Sequence, residues 1–313
     1  MGNLRDRLTR RRLLAAALAA SATSLLPARR AAAEAVTPPP SLGPGAECGW
    51  ASLDFETGRA HALNPDLRLP MCSSFKWLLA ACVLARVDAG REQLERPLEL
   101  AAAQVLPNSP TVAAALQASG GRRTHLSVAA LCEAAVTVSD NAAANALLAQ
   151  IGGPPALTDW LRYSGDAVTR LDREEPDLNH VPRGDVRDTT TAAAMLGNLQ
   201  RIVYGEVLRP ESRERLFGWL LGCQTGLTRL RAGLPAGWKI AHKTGTMSVE
   251  RGHDPVERAA AGDVGILLPP RGKPILIAAY TAGSEQGQPD VERWFAELAR
   301  AVTALRATPT PDV

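Results

Sequence analysis

Three short stretches of the chain carry groups able to attack carbonyls, move protons or hold anions. In MCSSFKWLLAACVL, residues 71–84, an apolar run is broken by Ser73 and, three positions on, by Lys76. The chain has only four lysines, so one inside a hydrophobic segment needs a reason. If the run is helical, residues three apart share a face and the hydroxyl and amine can interact. A serine in the first turn sits in the positive end of the helix dipole, beside unpaired backbone N–H groups. A desolvated lysine loses basicity and can help such a serine shed its proton, which is what makes serine a nucleophile. The same pair also fits a serine N-cap followed by a snorkelling lysine.

Ser139-Asp140-Asn141 closes the apolar stretch LCEAAVTV, where Ser, Asp and Asn ordinarily serve as a cap or turn. Lys243-Thr244-Gly245 lies inside the strand pattern WKIAHKTGTMSV. A lysine there offers a fixed cation to an anionic ligand, and Gly245 leaves room for a ligand backbone to approach the strand edge. The alternative is an edge strand blunted by a charge.

The elements that must position these groups follow from hydrophobic periodicity. CGWASLDFETGRAHAL alternates on either side of Thr57-Gly58 and predicts a β-hairpin. From 72 to about 222 the pattern is helical: FKWLLAACVLARVDAG closes on Gly90, LSVAALCEAAVTVSDNAAANALLAQIGG on Gly152-Gly153, and TTTAAAMLGNLQRIVYG opens on threonine caps. Strands return in WKIAHKTGTMSV, AGDVGILLPP and PILIAAYTA, and an amphipathic helix runs from about Pro289 to Ala307. The expected fold is α/β, an α+β sandwich. One antiparallel sheet is built from both chain ends (46–71 and 223–307) with flanking helices, and 72–222 is inserted as an all-α domain. LDREEPDLNHVPRGDVRD is long and aperiodic, hence a candidate functional loop.

Taken together, S-x-x-K at the head of a helix, S-D-N at a helix end and K-T-G on a strand resemble the penicillin-binding proteins and class A serine β-lactamases. The resemblance runs from about residue 46 to the C-terminus. REEPDLN resembles the class A loop, with Glu175 and Asn179 at the positions that hold a hydrolytic water. It implies hydrolysis of a β-lactam amide through an acyl-enzyme on Ser73. Lys76, Ser139 and Glu175 would move protons, and the backbone N–H groups of Ser73 and Thr246 would form an oxyanion hole. Lys243, Thr244, Gly245 and Thr246, with Asn141, would bind the substrate. Arg229 matches a carboxylate-binding arginine found where Ala261 replaces the more familiar strand arginine. Arg173 and Asp188 match a loop-closing ion pair, and Asn145 a supporting asparagine. Two alternatives are a D-Ala-D-Ala peptidase, which lacks the loop's base, and a non-catalytic β-lactam sensor. The partner is therefore a small-molecule β-lactam, and no metal or cofactor is implied.

Several residues depart from that pattern. Asn108 stands where many members carry an aromatic gate, still at a substrate-binding position. His242 replaces an aspartate, and Val249 to Ala260 forms a long connection. Cys72 precedes the nucleophile, but Met247 stands at the partner position of the disulfide known in some members, so no such bridge is expected.

Composition narrows the remaining classes. The chain has 313 residues, 46% of them hydrophobic, enough for a large core. Residues 1–35 read as a cleavable export signal with a twin-arginine-like Arg10-Arg11-Arg12, and 36–45 as a Pro/Gly-rich linker. Residues 308–313 form a tail. The first 33 residues hold seven arginines and one aspartate, so a net +3 for the whole chain becomes −3 for the rest. No basic patch with interleaved aromatics remains to suggest nucleic acid. No apolar run after residue 40 is long enough to span a membrane, so the expected mature form is an exported, periplasmic monomer. The five cysteines show no C-x-x-C, and the five histidines show no metal-ligand spacing.

Overall fold

The computed structural model describes residues 41–247 and 259–306. The expected export signal, the first half of the linker, nearly all of the long connection after the K-T-G strand, and the tail lie outside the described residues.

The first and last thirds of the chain meet in one five-stranded antiparallel sheet. Its order is β2 (Ala60–Leu63), β1 (Glu47–Asp54), β9 (Ile275–Ala282), β8 (Ala260–Leu268), β7 (Lys239–Met247). The register sets Trp50 opposite Ala279 and Lys243 opposite Val264. β8 and β9 are buried along their whole length, as strands covered on both faces must be. Alternation divides their side chains: Leu276, Ala278 and Tyr280 face the helical segment, while Ile275, Ile277 and Ala279 face α8 (Gln288–Leu305). β7 is one edge and β2 the other; on β7, Ala241 is on the helical side and Ile240 on the α8 side.

The helix after Ser73, α1 (Phe75–Asp88), is the centre of the larger core, and every residue from Phe75 to Leu84 is buried. A helix apolar on all sides is a core helix. Fully burying each large side chain, such as Trp77, Leu78 and Leu79, contributes about 1.5–3 kcal/mol. Gly90, at φ 69°, lets the chain leave just past its end.

Three features differ from the sequence reading. The stretch expected as one helix from Leu126 to Gly152 is two, α3 (Val128–Thr137) and α4 (Asn141–Ile151). The break falls at Ser139, whose φ of 61° cannot continue a helix. Asp140 then caps α4 through Oδ1 to Ala143 N–H at 2.9 Å. Its Oδ2 accepts Thr111 and Val112 N–H at 2.9 and 3.0 Å, so one buried carboxylate also caps α2 (Pro110–Ala118).

The segment expected as all-helical contains strands as well. β4 (Pro97–Ala101) pairs with β5 (Arg123–Ser127), and β6 (Thr189–Thr190) pairs with β3 (Leu69–Pro70), which lies just ahead of the turn that holds Ser73. Two other helices of this segment are α5 (Gly153–Tyr163), which packs on α4, and α7 (Pro210–Leu221), which packs on α1 and β7. α6 (Ala192–Asn198), capped by Thr191, packs on β1 and β9, so the inserted segment also supplies a helix to the sheet. Among the described residues no helix is long and apolar enough to cross a membrane.

Candidate active site

Ser73 sits in a 3-10 turn, Cys72–Ser74, that leads into α1. It is half-buried while its neighbours are buried, so its hydroxyl is the accessible group of the turn. The turn is pinned from behind: Ser74 Oγ donates to Met71 O at 2.6 Å and lies 3.0 Å from the Tyr280 hydroxyl on β9. It is also pressed against β7. A Cβ on Gly245 would meet Met71 O at 2.5 Å and Ser74 N at 3.0 Å. Gly245 is therefore required by the nucleophile turn, where the sequence reading gave it to an approaching ligand.

Ser73 Oγ donates to Glu175 Oε1 at 2.9 Å, and Lys76 Nζ lies 3.0 Å from the same oxygen. The direct Ser73–Lys76 hydrogen bond expected from i, i+3 spacing is replaced by this shared carboxylate. Lys76 Nζ, fully buried, also donates to Asn141 Oδ1 at 2.6 Å, Ser139 O at 2.8 Å and Ser139 Oγ at 3.3 Å. Burial lowers the Lys76 pKa, with Glu175 opposing. Burial alone would raise Glu175, but the charge of Lys76 and hydrogen bonds from Lys76, Ser73 and Asn179 outweigh it, holding the carboxyl below its usual range. Glu175 is thus an ionised base in contact with the candidate nucleophile.

The strained turn at Ser139 aims its hydroxyl between two ammonium groups. Lys243 Nζ donates to Ser139 Oγ at 3.0 Å and to Thr244 O at 2.8 Å. Lys243 is completely buried, and desolvation pulls its pKa far below the ordinary lysine value, aided by Lys76 and opposed by nearby Cys223, Glu175 and Asp263. At the pocket rim Asn108, exposed and at φ 59°, donates to Ser139 O at 3.2 Å.

The loop 170–188 brings Glu175 to this cluster. Arg173 Nε pairs with Asp188 Oδ2 at 2.6 Å, while Asp188 Oδ1 accepts the N–H groups of Asp172 and Arg173 at 2.7 and 3.0 Å. Asn145, on α4, holds both ends of the Glu175 peptide: its Nδ2 donates to Glu175 O at 2.8 Å, and Glu175 N–H donates to its Oδ1 at 3.0 Å. The Glu175–Pro176 bond is cis. Asn179, in the short turn Asp177–Asn179, donates to Glu175 Oε2 at 2.7 Å.

On the α8 side of β7, Thr246 is exposed and its hydroxyl accepts from Arg229 Nη2 at 2.7 Å. Arg229 is 2% exposed; its Nη1 donates to Gly245 O and Gly262 O at 2.8 and 3.1 Å, and its guanidinium lies over the Phe295 ring. Thr244 is buried, its hydroxyl 2.6 Å from that of Thr225. A serine, an ionised carboxylate and buried cations on converging elements are the parts of an acyl-transfer site.

Residues 32–305 match the β-lactamase enzyme family. The chain is 38% identical over 258 residues to β-lactamase AST-1 of Nocardia asteroides, covering 82% of this chain and 78% of that protein. It is 42% identical over 229 residues to β-lactamase L2 of Stenotrophomonas maltophilia, covering 73% and 71%. Among solved structures, an ancestral class A β-lactamase superposes with a TM-score of 0.76 at 44% identity, covering 83% of this chain and 95% of that one. A β-lactamase from Xanthomonas campestris pv. campestris gives 0.75 at 39% identity, covering 84% and 92%.

The chain belongs to the class A β-lactamase family. Its reaction is hydrolysis of the β-lactam amide, and the peptidase alternative is not favoured. For a class A β-lactamase, this one has free thiols at all five cysteines, Cys72 included. Sequence reasoning missed three supports of the site: Tyr280 behind the nucleophile turn, Asp140 capping two helices, and Thr225 against Thr244. Only Asp140 left a signal, as part of S-D-N. The other two lie far along the chain from the groups they contact.

Proposed function

We propose that Ser73 is the nucleophile of this β-lactamase, that Glu175 with Asn179 activates the deacylating water, and that Lys243, Thr244, Thr246 and Arg229 bind the substrate carboxylate. The observation carrying this reading is the sharing of Glu175 Oε1 between Ser73 Oγ and Lys76 Nζ, at 2.9 and 3.0 Å.

In acylation, Ser73 Oγ attacks the lactam carbonyl as its proton leaves along that hydrogen bond, to Glu175 or through it to Lys76. The developing oxyanion is received by the backbone N–H groups of Ser73 and Thr246. Ser139, hydrogen-bonded to both ammonium groups, delivers a proton to the departing lactam nitrogen. Once Ser73 is an ester it no longer occupies Glu175 Oε1. That oxygen then takes a proton from water, which attacks the ester carbonyl. Asn141 and Asn108 line the pocket beside Ser139, while Arg173, Asp188 and Asn145 hold the loop. Boundaries of 46–71 with 223–307 for the sheet unit and 72–222 for the insert accompany this reading, as do export through residues 1–35, a periplasmic site and action as a monomer.

The test is Ser73→Ala. A small polar residue becomes a good helix former, so the fold persists while hydrolysis and covalent labelling vanish. A β-lactam adduct on the folded variant, seen by intact-protein mass spectrometry, would overturn the assignment.

A further inference from the structure

A second polar cluster lies behind the strand that carries Lys243. Alternation turns His242 to the α8 side of β7, where it is 1% exposed. Its Nδ1 is 2.8 Å from Oδ1 of Asp263, a fully buried carboxylate whose Oδ2 accepts Leu230 N–H at 3.3 Å. His242 Nε2 is buried with no hydrogen-bond partner of good geometry, and the thiol of Cys223 is close enough to interact with the ring. Cys223 lies just past the end of α7 and is 3% exposed. Its Sγ is 3.3 Å from Thr225 Oγ1, which is 2.6 Å from Thr244 Oγ1. Asp263, His242, Cys223, Thr225 and Thr244 thus form a chain from the core to the K-T-G strand.

A carboxylate that fixes an imidazole tautomer beside a thiol is the arrangement that turns cysteine into a nucleophile. Burial would lower His242, but Asp263 overrides it and the imidazole pKa is pushed up to about 10. Burial would raise Cys223, but the hydrogen bond and charge of His242, then Lys243, bring the thiol down to about 7. The other cysteines go the opposite way: Cys48 is raised by burial, Cys72 and Cys82 are pushed up to about 12, and Cys132 goes higher still.

We propose that Cys223, activated by His242 and Asp263, is a modification site for small hydroperoxides, and that its oxidation weakens substrate-carboxylate binding through Thr225 and Thr244. In the step, thiolate sulfur attacks one oxygen of hydrogen peroxide, forming S–O and breaking O–O. The departing hydroxide takes the imidazolium proton of His242 and leaves as water. Sulfur loses two electrons, the peroxide gains two, and the product is the sulfenic acid, which thiol reductants reverse. An oxidant the size of water suits so enclosed a thiol. The added oxygen must displace Thr225 or break its contact with Thr244. The damage therefore falls on KM for carboxylate-bearing β-lactams, while Ser73 lies against the opposite face of β7. This functional half rests on the site reading above; the modification does not.

The experiment treats the purified protein briefly with hydrogen peroxide, traps sulfenic acid with a cyclic 1,3-dione, and maps each cysteine by peptide mass spectrometry. Cys223 should be labelled before the more exposed Cys48. KM should rise on the order of tenfold, what losing one hydrogen bond to a charged group is worth, and should recover with reductant. His242→Asn should slow labelling by at least about tenfold, because without the charge and hydrogen bond of His242 burial raises the thiol and the thiolate fraction falls. Cys223→Ser should keep its KM in peroxide. Labelling of Cys48 ahead of Cys223 in the wild-type protein overturns the site, whether or not the variants fold. Labelling of Cys223 at unchanged KM, or equal peroxide sensitivity in Cys223→Ser, overturns the coupling. A wild-type rate in His242→Asn overturns the activation. If carboxylate-bearing substrates do not depend on Lys243 and Arg229 before treatment, the site reading fails, and the labelling order still decides the modification.

Discussion

Replacing Glu175 by glutamine removes one proton acceptor while preserving nearly all of the site's shape. The amide oxygen can stay against Ser73 and Lys76, which turns the new NH₂ toward Asn179. Asn179 Nδ2 now donates to that position, at 2.7 Å, so the pair would clash as two donors. Asn179 Oδ1, however, is buried without a partner, and turning the Asn179 amide over presents it to the new donor at the loss of one hydrogen bond, from Asn179 Nδ2 to Pro176 O at 2.9 Å. The variant should therefore fold. Its chemistry should split into two unequal halves. Acylation has a second route: without the Glu175 charge, burial at Lys76 is opposed only by the charge of Asp140, and a more readily neutral amine can take the Ser73 proton. Deacylation has no such substitute, since water must be deprotonated beside the ester carbonyl. General-base catalysis is worth about 10²–10⁴-fold, or about 3–5 kcal/mol of barrier. Stopped-flow hydrolysis of a chromogenic cephalosporin should give a burst stoichiometric with enzyme and then a stalled steady state. Intact-mass measurement should show the acyl-enzyme accumulating. Turnover near the wild-type rate with no adduct would refute the deacylation role. Absence of both burst and adduct would show that the Ser73–Glu175 contact is itself the sole acylation route.

Arg229→Ala should lower kcat/KM for benzylpenicillin by roughly 10- to 150-fold, the value of one charge-assisted hydrogen bond at about 1.5–3 kcal/mol. An equal loss with a β-lactam lacking the carboxylate would instead assign Arg229 to supporting the Gly245 and Gly262 carbonyls. Asp140→Ala removes the acceptor for three buried N–H groups and should cost about 2–5 kcal/mol, seen as a clear drop in Tm, whereas Asp140→Asn should lose less. An unchanged Tm in Asp140→Ala would refute the double cap. Lys243 binds a carboxylate only when protonated, and its pKa is lowered by desolvation. kcat/KM for carboxylate-bearing substrates should therefore fall as pH rises through a value well below the ordinary lysine range, with the loss carried by KM. A profile flat up to pH 10 would refute it.

Legibility in the sequence followed how local the cause was. The sheet from both chain ends, the core helix after Ser73 and the Thr191 cap came from periodicity and capping, which are written within a few residues. The strand pairs Leu69–Pro70 with Thr189–Thr190 and Pro97–Ala101 with Arg123–Ser127 did not, because two to five residues carry too little alternation to read. Ser73, Lys76 and Lys243 were visible as polar residues breaking apolar patterns. Their partners were set by tertiary approach: Glu175 arrives on a loop about a hundred positions away, and Gly245 is needed because a turn far upstream docks on it.

Polar residues break apolar patterns at this site because it buries charge, and the signs do not cancel. Lys76, Lys243 and Arg229 are each almost wholly removed from water; Glu175 touches Lys76 and Glu292 lies 3.8 Å from Arg229 Nε, while Lys243 has no carboxylate within ion-pair distance among the described residues. Lys243 is satisfied by neutral acceptors, Ser139 Oγ and Thr244 O, and the hydrogen bonds of Arg229 likewise go to Gly245 O, Gly262 O and Thr246 Oγ1. Dipoles satisfy hydrogen bonds without neutralising charge, so a protonated Lys243 leaves a positive charge unbalanced on the edge strand β7. A substrate carboxylate arriving there restores the balance that the protein leaves open. On the proposed reading of the site, part of the cost of burying Lys243 then becomes binding energy for an anionic β-lactam whose carbonyl lies against Ser73.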